Sequence, residues 1–272
     1  MKYTLAAFAD EAASSLDGQI EAMRENGIHY LEIRGVDGSN IADISENKAE
    51  EIKRRLSDSG LEVWSLGSPY GKIGMSEDFS AHMDKFRRSL DIAGILGAGH
   101  IRLFSFYGEP QLDAVLERLG CFADAAKGYD VILCHENEKG IYGDTADKCL
   151  EIHKAFPSIR AVFDPANFVQ CGQDTKAAWE LLSPYVEYMH IKDALPDGSV
   201  VPAGKGTGQL PYLLSQYSGE VLTLEPHLSV FEGFDKLEGD EKSKMGFCYP
   251  DSRTAFKAAA DALKELIGAN YN

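Results

Sequence analysis

The sequence lacks the long apolar runs, the signal segment and the paired cysteines that characterise membrane and secreted proteins. None of its apolar stretches approaches the roughly 20 residues that a transmembrane helix needs. The apolar stretch near the N-terminus is short and is interrupted by Asp10 and Glu11, unlike a signal peptide. The 5 cysteines are odd in number, widely spaced and without a CxxC pair. These absences predict reduced thiols in a cytoplasmic protein with no membrane partner.

Positive charge is also scarce, which argues against a nucleic-acid partner. The 272 residues include 27 lysines and arginines against 43 aspartates and glutamates, giving a net charge of −16 at pH 7. An acidic surface repels phosphate backbones, so general binding of nucleic acid is not expected. The first predicted strand is not followed by a GxGxxG segment, which a dinucleotide-binding sheet would show.

What the sequence does contain is a strand-then-helix rhythm along its whole length. The predicted strands are residues 3–8, 30–33, 63–66, 100–104, 131–136, 161–164, 186–194 and 221–224. The predicted helices are residues 15–26, 48–59, 79–96, 111–127, 145–155, 175–182, 210–216 and 252–267. This order indicates an α/β protein with a parallel sheet, either open and doubly wound or closed. The strand count and the length favour a single (β/α)8 TIM barrel over residues 1–272.

Potential metal ligands stand at the ends of the last four predicted strands. The fifth strand ends at Glu136, the sixth at Asp164 and the eighth is followed by Glu225, while the seventh carries His190. The carboxyl ends of barrel strands meet at one mouth, so these side chains are expected to converge there. Alone, each would be a loop acid or a core histidine. Together they predict one divalent metal ion, Mn²⁺ in first place, with Mg²⁺, Co²⁺ and Zn²⁺ as alternatives.

These motifs resemble those of the sugar phosphate isomerase/epimerase superfamily, the xylose-isomerase-like barrels. That group includes ketose 3-epimerases, inosose dehydratases and DNA-repair enzymes of the endonuclease IV type. The shared marks are HEN at 135–137, DPAN at 164–167, HIKD at 190–193, GKG at 204–206 and LEP at 224–226. The resemblance implies that a single divalent metal is held by Glu136, Asp164, His190 and Glu225. The endonuclease branch needs extra histidines on strands three and four and after strand seven, but here strand three ends WSLGS, strand four ends LFSFYG, and no histidine follows strand seven until His227.

The ligand set predicts a reaction type. A metal that chelates a sugar carbonyl and its neighbouring hydroxyl makes the adjacent C–H more acidic and stabilises an enediolate. In similar epimerases, one metal-bound glutamate removes the proton and the other returns it, roles that would fall here on Glu136 and Glu225. We therefore expect an isomerase or epimerase of a small sugar or sugar phosphate. The alternatives are a dehydratase of a cyclic polyol, a hydrolase of the endonuclease IV type and a non-catalytic carbohydrate-binding barrel.

Further residues near the predicted strand ends are expected to contact the substrate. Those residues are Asn167, Lys192, Lys205, Glu138 and Trp64. Asn167 replaces the substrate-binding histidine that several epimerases carry at this place. For the others, an ion pair, a plain turn, a solvated acid or core packing is the structural alternative. Glu32 and Arg34 close the second strand, either as a polar contact to substrate or as an internal ion pair.

Two predicted connections are longer than simple loops need to be. They are residues Gly67–Ser80 and Ser229–Asp251, and both contain glycines and charged residues. Long loops that follow barrel strands often form lids or subunit contacts. We therefore predict that one of the two covers the metal, and that the chain is compatible with a homo-oligomer.

Overall fold

The chain forms a closed barrel of eight parallel strands surrounded by helices. The computed structural model describes residues 3–229 and 244–271. In chain order the barrel strands are β1 (Thr4–Ala7), β2 (Tyr30–Ile33), β3 (Glu62–Leu66), β4 (His100–Leu103), β5 (Ile132–Glu136), β6 (Arg160–Phe163), β7 (Val186–Ile191) and β8 (Val221–Leu224). Each strand pairs in parallel with its neighbours in the chain, and β1 closes the barrel on β8. The predicted (β/α)8 barrel is confirmed.

Nine α-helices lie in the described ranges, and eight of them correspond to predicted ones. They are α1 (Leu16–Glu25), α2 (Glu46–Asp58), α3 (Phe79–Leu96), α4 (Leu112–Ala125), α5 (Ala146–Ala155), α6 (Pro165–Gln170), α7 (Thr175–Leu182), α8 (Leu210–Gln216) and α9 (Ser252–Ile267). Side chains that accept backbone N–H groups begin several of them, as Ser15 does for α1 and Asp174 for α7. Across these described residues, no helix is both long and apolar enough to cross a membrane.

The end of the seventh predicted strand differs from the prediction. The sequence predicts one strand over residues 186–194, but β7 ends at Ile191. Asp193–Ala194 leaves the barrel and pairs antiparallel with Ser199–Val201, which also pairs with Lys244–Met245. The chain thus turns away from the barrel axis directly after Lys192.

Alternation along the strands separates the barrel interior from the layer beneath the helices. Side chains such as Leu5, Met189 and Leu222 belong to the large core between strands and helices. The opposite faces fill the barrel with a smaller buried cluster of Ala6, Cys134, Val162, Tyr188 and Val221. Because strand side chains alternate, the residue two positions further along each strand faces the interior nearer the mouth. The polar side chains at the strand ends therefore lie close together at the mouth of the barrel.

The glycine-rich segment after β7 wraps around one buried carboxylate. Asp193 accepts hydrogen bonds from the backbone N–H groups of Gly204 (2.9 Å), Gly206 (3.0 Å) and Gly208 (2.9 Å). A Cβ atom on Gly206 would overlap both Asp193 Oδ1 and the carbonyl oxygen of Ala194. The glycines therefore serve the turn itself, because only a bare backbone can come this close to the carboxylate.

We expect Gly206→Ala to destabilise the fold by about 1–3 kcal/mol, the usual cost of forcing extra atoms into a packed site. The same substitution at Gly94, an exposed residue of α3 with open space around its Cα, is the matched control. Gly94→Ala should stabilise by about 0.5–1 kcal/mol, because alanine favours a helix over glycine. Urea unfolding of both variants checks the two opposite signs. Equal stabilities would contradict the wrapped turn.

Candidate active site

The four predicted metal ligands meet at the mouth of the barrel. Glu136 ends β5 and His190 lies on β7, while Asp164 and Glu225 directly follow β6 and β8. One ligand atom from each lies within 4.8 Å of the others. All four side chains are nearly inaccessible, with at most 3% of any of them exposed. The structure thus brings together the residues that the strand ends predict.

Asp164 owes its position to helix α6, which the sequence analysis does not predict. Its Oδ1 atom accepts the backbone N–H of Asn167 at 2.9 Å and so caps the helix, with Pro165 as the first helical residue. The second oxygen, Oδ2, points to the cluster. Burial raises the pKa of Asp164 to about 7, although the nearby ammonium of Lys192 opposes this effect.

His190 lies between two carboxylates. Its Nδ1 donates to Glu136 Oε1 at 2.9 Å, and its Nε2 donates to Glu32 Oε2 at 3.1 Å. Burial alone would lower the pKa of His190, but the negative charges of Glu136 and Glu32 outweigh it and raise this pKa well above its usual value. Both ring nitrogens thus face carboxylates, and Nδ1 is the nitrogen that faces the other ligands.

Lys192 forms an ion pair with two of the predicted ligands. Its Nζ lies 2.8 Å from Asp164 Oδ2 and 2.8 Å from Glu225 Oε2, and the residue is 3% exposed. Although burial acts to lower it, the pKa of Lys192 is raised well above its usual value by these carboxylates. The ion pair that the sequence leaves open for this residue is present, and it places the ammonium inside the ligand cluster.

Asn167 also lies at the cluster. Its Nδ2 donates to the carbonyl oxygen of Asn137 at 2.9 Å and to Glu136 Oε1 at 3.3 Å. Its Oδ1 is buried and has no hydrogen-bond partner among the described residues. A buried acceptor without a donor is costly, so this oxygen is available to a hydroxyl group of a ligand.

Glu138 lies above the cluster between two lysines. Its carboxylate is 3.3 Å from Lys72 Nζ and 3.6 Å from Lys139 Nζ. Burial acts to raise the pKa of Glu138, but these two cations lower it to about 2. Lys72 belongs to the predicted covering loop Gly67–Ser80, so this loop reaches the mouth. The other one, Ser229–Asp251, falls largely outside the described residues.

Two of the predicted substrate contacts are not brought into the site. Trp64 stacks on His100 with ring centroids 4.1 Å apart and contacts the edge of Tyr188. Because His100 is the first residue of β4, this places Trp64 at the far end of the barrel, away from the mouth. Lys205 is exposed on the outside of the turn that wraps Asp193.

Two arginines complete the site, and the sequence analysis gives neither of them a role at the metal. Arg102 Nη1, on β4, lies 3.2 Å from Glu136 Oε2 and 3.8 Å from Glu225 Oε1. Arg34 Nη1 lies 3.3 Å from Glu225 Oε1, and the same guanidinium pairs with Asp10. The signal that could have found Arg102 is its position, since a charged residue within a short buried strand needs a nearby partner.

A second group of potential ligands adjoins the first and has a guanidinium beside it. Atoms of Glu11, Glu225 and His227 lie within 4.8 Å of one another. Arg34 pairs with Glu11 Oε1 at 3.1 Å as well as with Glu225, so a guanidinium supplies positive charge here. Burial raises the pKa of Glu11 to about 8. The Glu136 cluster brings four potential ligands together against three here, and is therefore the better candidate for a metal.

The donor set of that cluster fits a divalent cation. Buried oxygens of Glu136 and Asp164 make ion-pair contacts but no hydrogen bonds within the described ranges. Three carboxylates and one imidazole form an oxygen-rich set, which suits hard divalent ions more than a thiolate site would.

Comparison with known proteins agrees with this architecture. Residues 20–225 match the family described as xylose isomerase-like TIM barrel. No curated protein matches the sequence.

Solved structures of similar fold include enzymes of two types. A D-psicose 3-epimerase crystallised with D-fructose has a TM-score of 0.73 and 18% identity, over 98% of this chain and 100% of the other. The probable 3-DHS dehydratase AsbF of Bacillus anthracis has a TM-score of 0.71 and 17% identity, over 97% of this chain and 99% of the other. The IolI protein with a bound zinc atom has a TM-score of 0.75 and 15% identity, over 100% of both chains. At such identities the likeness shows the fold alone.

We expect Lys192→Met to increase the affinity for Mn²⁺ by about tenfold, equivalent to about 1.4 kcal/mol. The ammonium competes with a divalent cation for Asp164 Oδ2 and Glu225 Oε2, and methionine keeps the length of the side chain without the charge. Calorimetric titration measures the change. Lys154→Met, which removes an exposed charge on α5, is the control and should bind like the wild type. Unchanged or weaker binding in the Lys192 variant would contradict the competition.

Proposed function

Because this chain belongs to the xylose isomerase-like TIM barrel family, we propose that it is a divalent-metal-dependent isomerase or epimerase of a small sugar or sugar phosphate. The observation that carries this proposal is a pair of buried glutamates, Glu136 and Glu225, on strand ends three strands apart around one cluster of ligand atoms. Two carboxylates that flank one site are what inversion of a carbon centre requires. The epimerase among the structures of similar fold is consistent with this choice.

The metal would be held by Glu136, Asp164, His190 and Glu225, with Mn²⁺ as our first choice. The zinc atom of the IolI structure shows that a barrel of this fold accommodates a divalent ion. When bound, such an ion polarises a carbonyl group and stabilises the negative charge that develops on its oxygen. All the proton movements are then the work of side chains.

In this mechanism Glu136 and Glu225 transfer the proton. One carboxylate removes the proton beside the substrate carbonyl, which gives an enediolate, and the other returns a proton to the opposite face. An isomerase needs delivery to the neighbouring carbon instead. Arg102 lies 3.2 Å from Glu136 and 3.8 Å from Glu225, so one guanidinium contacts both carboxylates and helps to hold them in place. Burial of both excludes bulk water from the reacting carbon.

Two further side chains would orient the substrate. The ammonium of Lys192 is a donor to a substrate oxygen once a metal takes over its carboxylate partners. The unpartnered Oδ1 of Asn167 is an acceptor for a substrate hydroxyl. Substrates with adjacent carbonyl and hydroxyl groups match this set, whereas nucleic acid does not, because the chain carries a net charge of −16.

A dehydratase of a cyclic polyol is the second candidate. Lys192 favours it, because a buried ammonium among the catalytic carboxylates would donate a hydrogen bond to a departing hydroxyl group. A probable dehydratase also shares the fold. The endonuclease-type hydrolase and the non-catalytic carbohydrate-binding barrel have no comparable supporting observation among the described residues.

We expect Glu136→Gln and Glu225→Gln each to lower turnover by about 100-fold or more, the usual contribution of a positioned acid or base. The assay is a panel of ketoses and ketose phosphates with Mn²⁺ in D₂O, with deuterium at the carbon beside the carbonyl read by NMR. Glu265→Gln makes the same substitution on the exposed face of α9 and is the control. Metal content is measured in parallel, since a variant without metal reports on ligation instead of proton transfer. Turnover near that of the wild type would refute the proposed roles.

The same panel separates the two candidate functions. An isomerase or epimerase gives a product that keeps every heavy atom of the substrate, so its mass differs only by the solvent deuterium that it gains. A dehydratase gives a product that has lost one water molecule. Mass spectrometry of each product therefore decides between them, and loss of water from every converted substrate would exclude the first candidate.

A further inference from the structure

Glu32 is a buried carboxylate that the proposed proton transfer does not use. It lies on β2, inside the barrel and below the ligand cluster, with no exposed surface. A carboxylate in such a position is costly unless hydrogen bonds satisfy it. Both of its oxygens are satisfied, because Tyr188 Oη donates to Oε1 at 2.8 Å and His190 Nε2 donates to Oε2 at 3.1 Å.

The contact with Glu32 determines which nitrogen of His190 faces the ligand cluster. A carboxylate only accepts hydrogen bonds, so the nitrogen that faces Glu32 must carry a hydrogen. The other nitrogen, Nδ1, lies 2.9 Å from Glu136 Oε1 and 3.5 Å from Glu225 Oε2. The edge of the Phe8 ring packs against the imidazole with centroids 5.2 Å apart, which restrains the ring. Nδ1 is thus the ligand atom that His190 offers.

The position of Glu32 is itself fixed by the barrel. The register between β2 and β3 shifts directly before Glu32, which brings this residue opposite Ser65. Such irregularities commonly redirect a side chain. Ser65 Oγ lies 3.3 Å from Tyr188 Oη, so a buried series of hydrogen bonds runs from Ser65 through Tyr188 and Glu32 to His190. Three different strands hold this series in place.

We propose that Glu32 is a positioning residue of the metal centre, which holds His190 in the tautomer that presents Nδ1 to a divalent cation. In metalloproteins a carboxylate that accepts the second N–H of a ligand histidine both orients the ring and makes it a stronger donor. Tyr188 supports this role indirectly, because its hydroxyl donates to Glu32 and so holds that carboxylate in place. The proposal rests on the metal centre of the proposed function, and it does not depend on which substrate is converted.

The experiment compares metal affinity and histidine tautomer in the full-length protein. Glu32→Leu removes the acceptor at similar size, and Glu32→Gln keeps a neutral acceptor. We expect Mn²⁺ affinity to fall by about 10- to 100-fold in the leucine variant and by less in the glutamine variant, the range found for such outer partners. With Zn²⁺ bound, ¹⁵N spectra of the wild type should show His190 metallated at Nδ1 and protonated at Nε2. The leucine variant should lose this single pattern.

Control variants separate a failure of this proposal from a failure of the proposed function. Glu62→Leu removes an exposed carboxylate from the start of β3 and should leave the affinity unchanged. Tyr188→Phe removes the hydroxyl that donates to Glu32 and should weaken Mn²⁺ binding slightly. If Glu32→Leu does not fold, the Mn²⁺ affinities of Tyr188→Phe and Glu32→Gln test the role of Glu32 instead. Wild-type affinity together with an unchanged tautomer would overturn the proposal. Metal binding that needs Glu32, in a protein that converts no sugar, would instead overturn only the proposed function.

Discussion

Negative charge buried at the mouth of the barrel is the constraint on which the surrounding arrangement depends. The closed parallel barrel places Glu136, Asp164 and Glu225 within a few ångströms of one another and out of contact with water. Burial of each carboxylate costs several kcal/mol unless a cation lies close by. Lys192, directly after β7, provides one such cation, and His190 on β7 lies within hydrogen-bond distance of Glu136. The site is thus a stable ion-pair network and also a set of ligands.

Aromatic rings at the strand ends hold the remaining cations in place. The Arg34 guanidinium lies 4.5 Å from the centroid of the Phe8 ring, and Arg102 lies 5.0 Å from the same ring. Arg102 also lies 4.9 Å from the centroid of Phe104, and Lys72 lies 4.5 Å from it. Cations and ring faces attract each other, and more strongly where water is excluded. The rings of Phe8 and Phe104 therefore stabilise the positive charges around the ligands.

The architecture and the ligand cluster could be predicted from sequence because both follow from local order. Strand ends recur once per βα unit, and closure of the barrel brings them together wherever the loops go. The sequence could not give the depth of a side chain along the barrel axis, since strand tilt and stagger set it. The sequence therefore predicts Trp64 at the mouth, whereas this side chain lies at the far end of the barrel. It likewise does not show that Arg102 and Glu32 lie beside the ligands. Lys205 faces outward because its glycine neighbours serve a turn around Asp193.

Because Asp164 caps a helix, the presence of an aspartate at this position is weak evidence that a barrel binds a metal. One oxygen of its carboxylate begins α6, and only the other faces the cluster. Loss of such a cap typically costs about 1 kcal/mol of stability, irrespective of any chemistry at the mouth. Selection for folding alone would therefore favour a capping side chain at this position, and aspartate is one of the few that cap well, even in a barrel that no longer catalysed a reaction. Among homologous barrels, inherited activity is better judged from Glu136 and Glu225, whose carboxylates cap none of the helices in the described ranges.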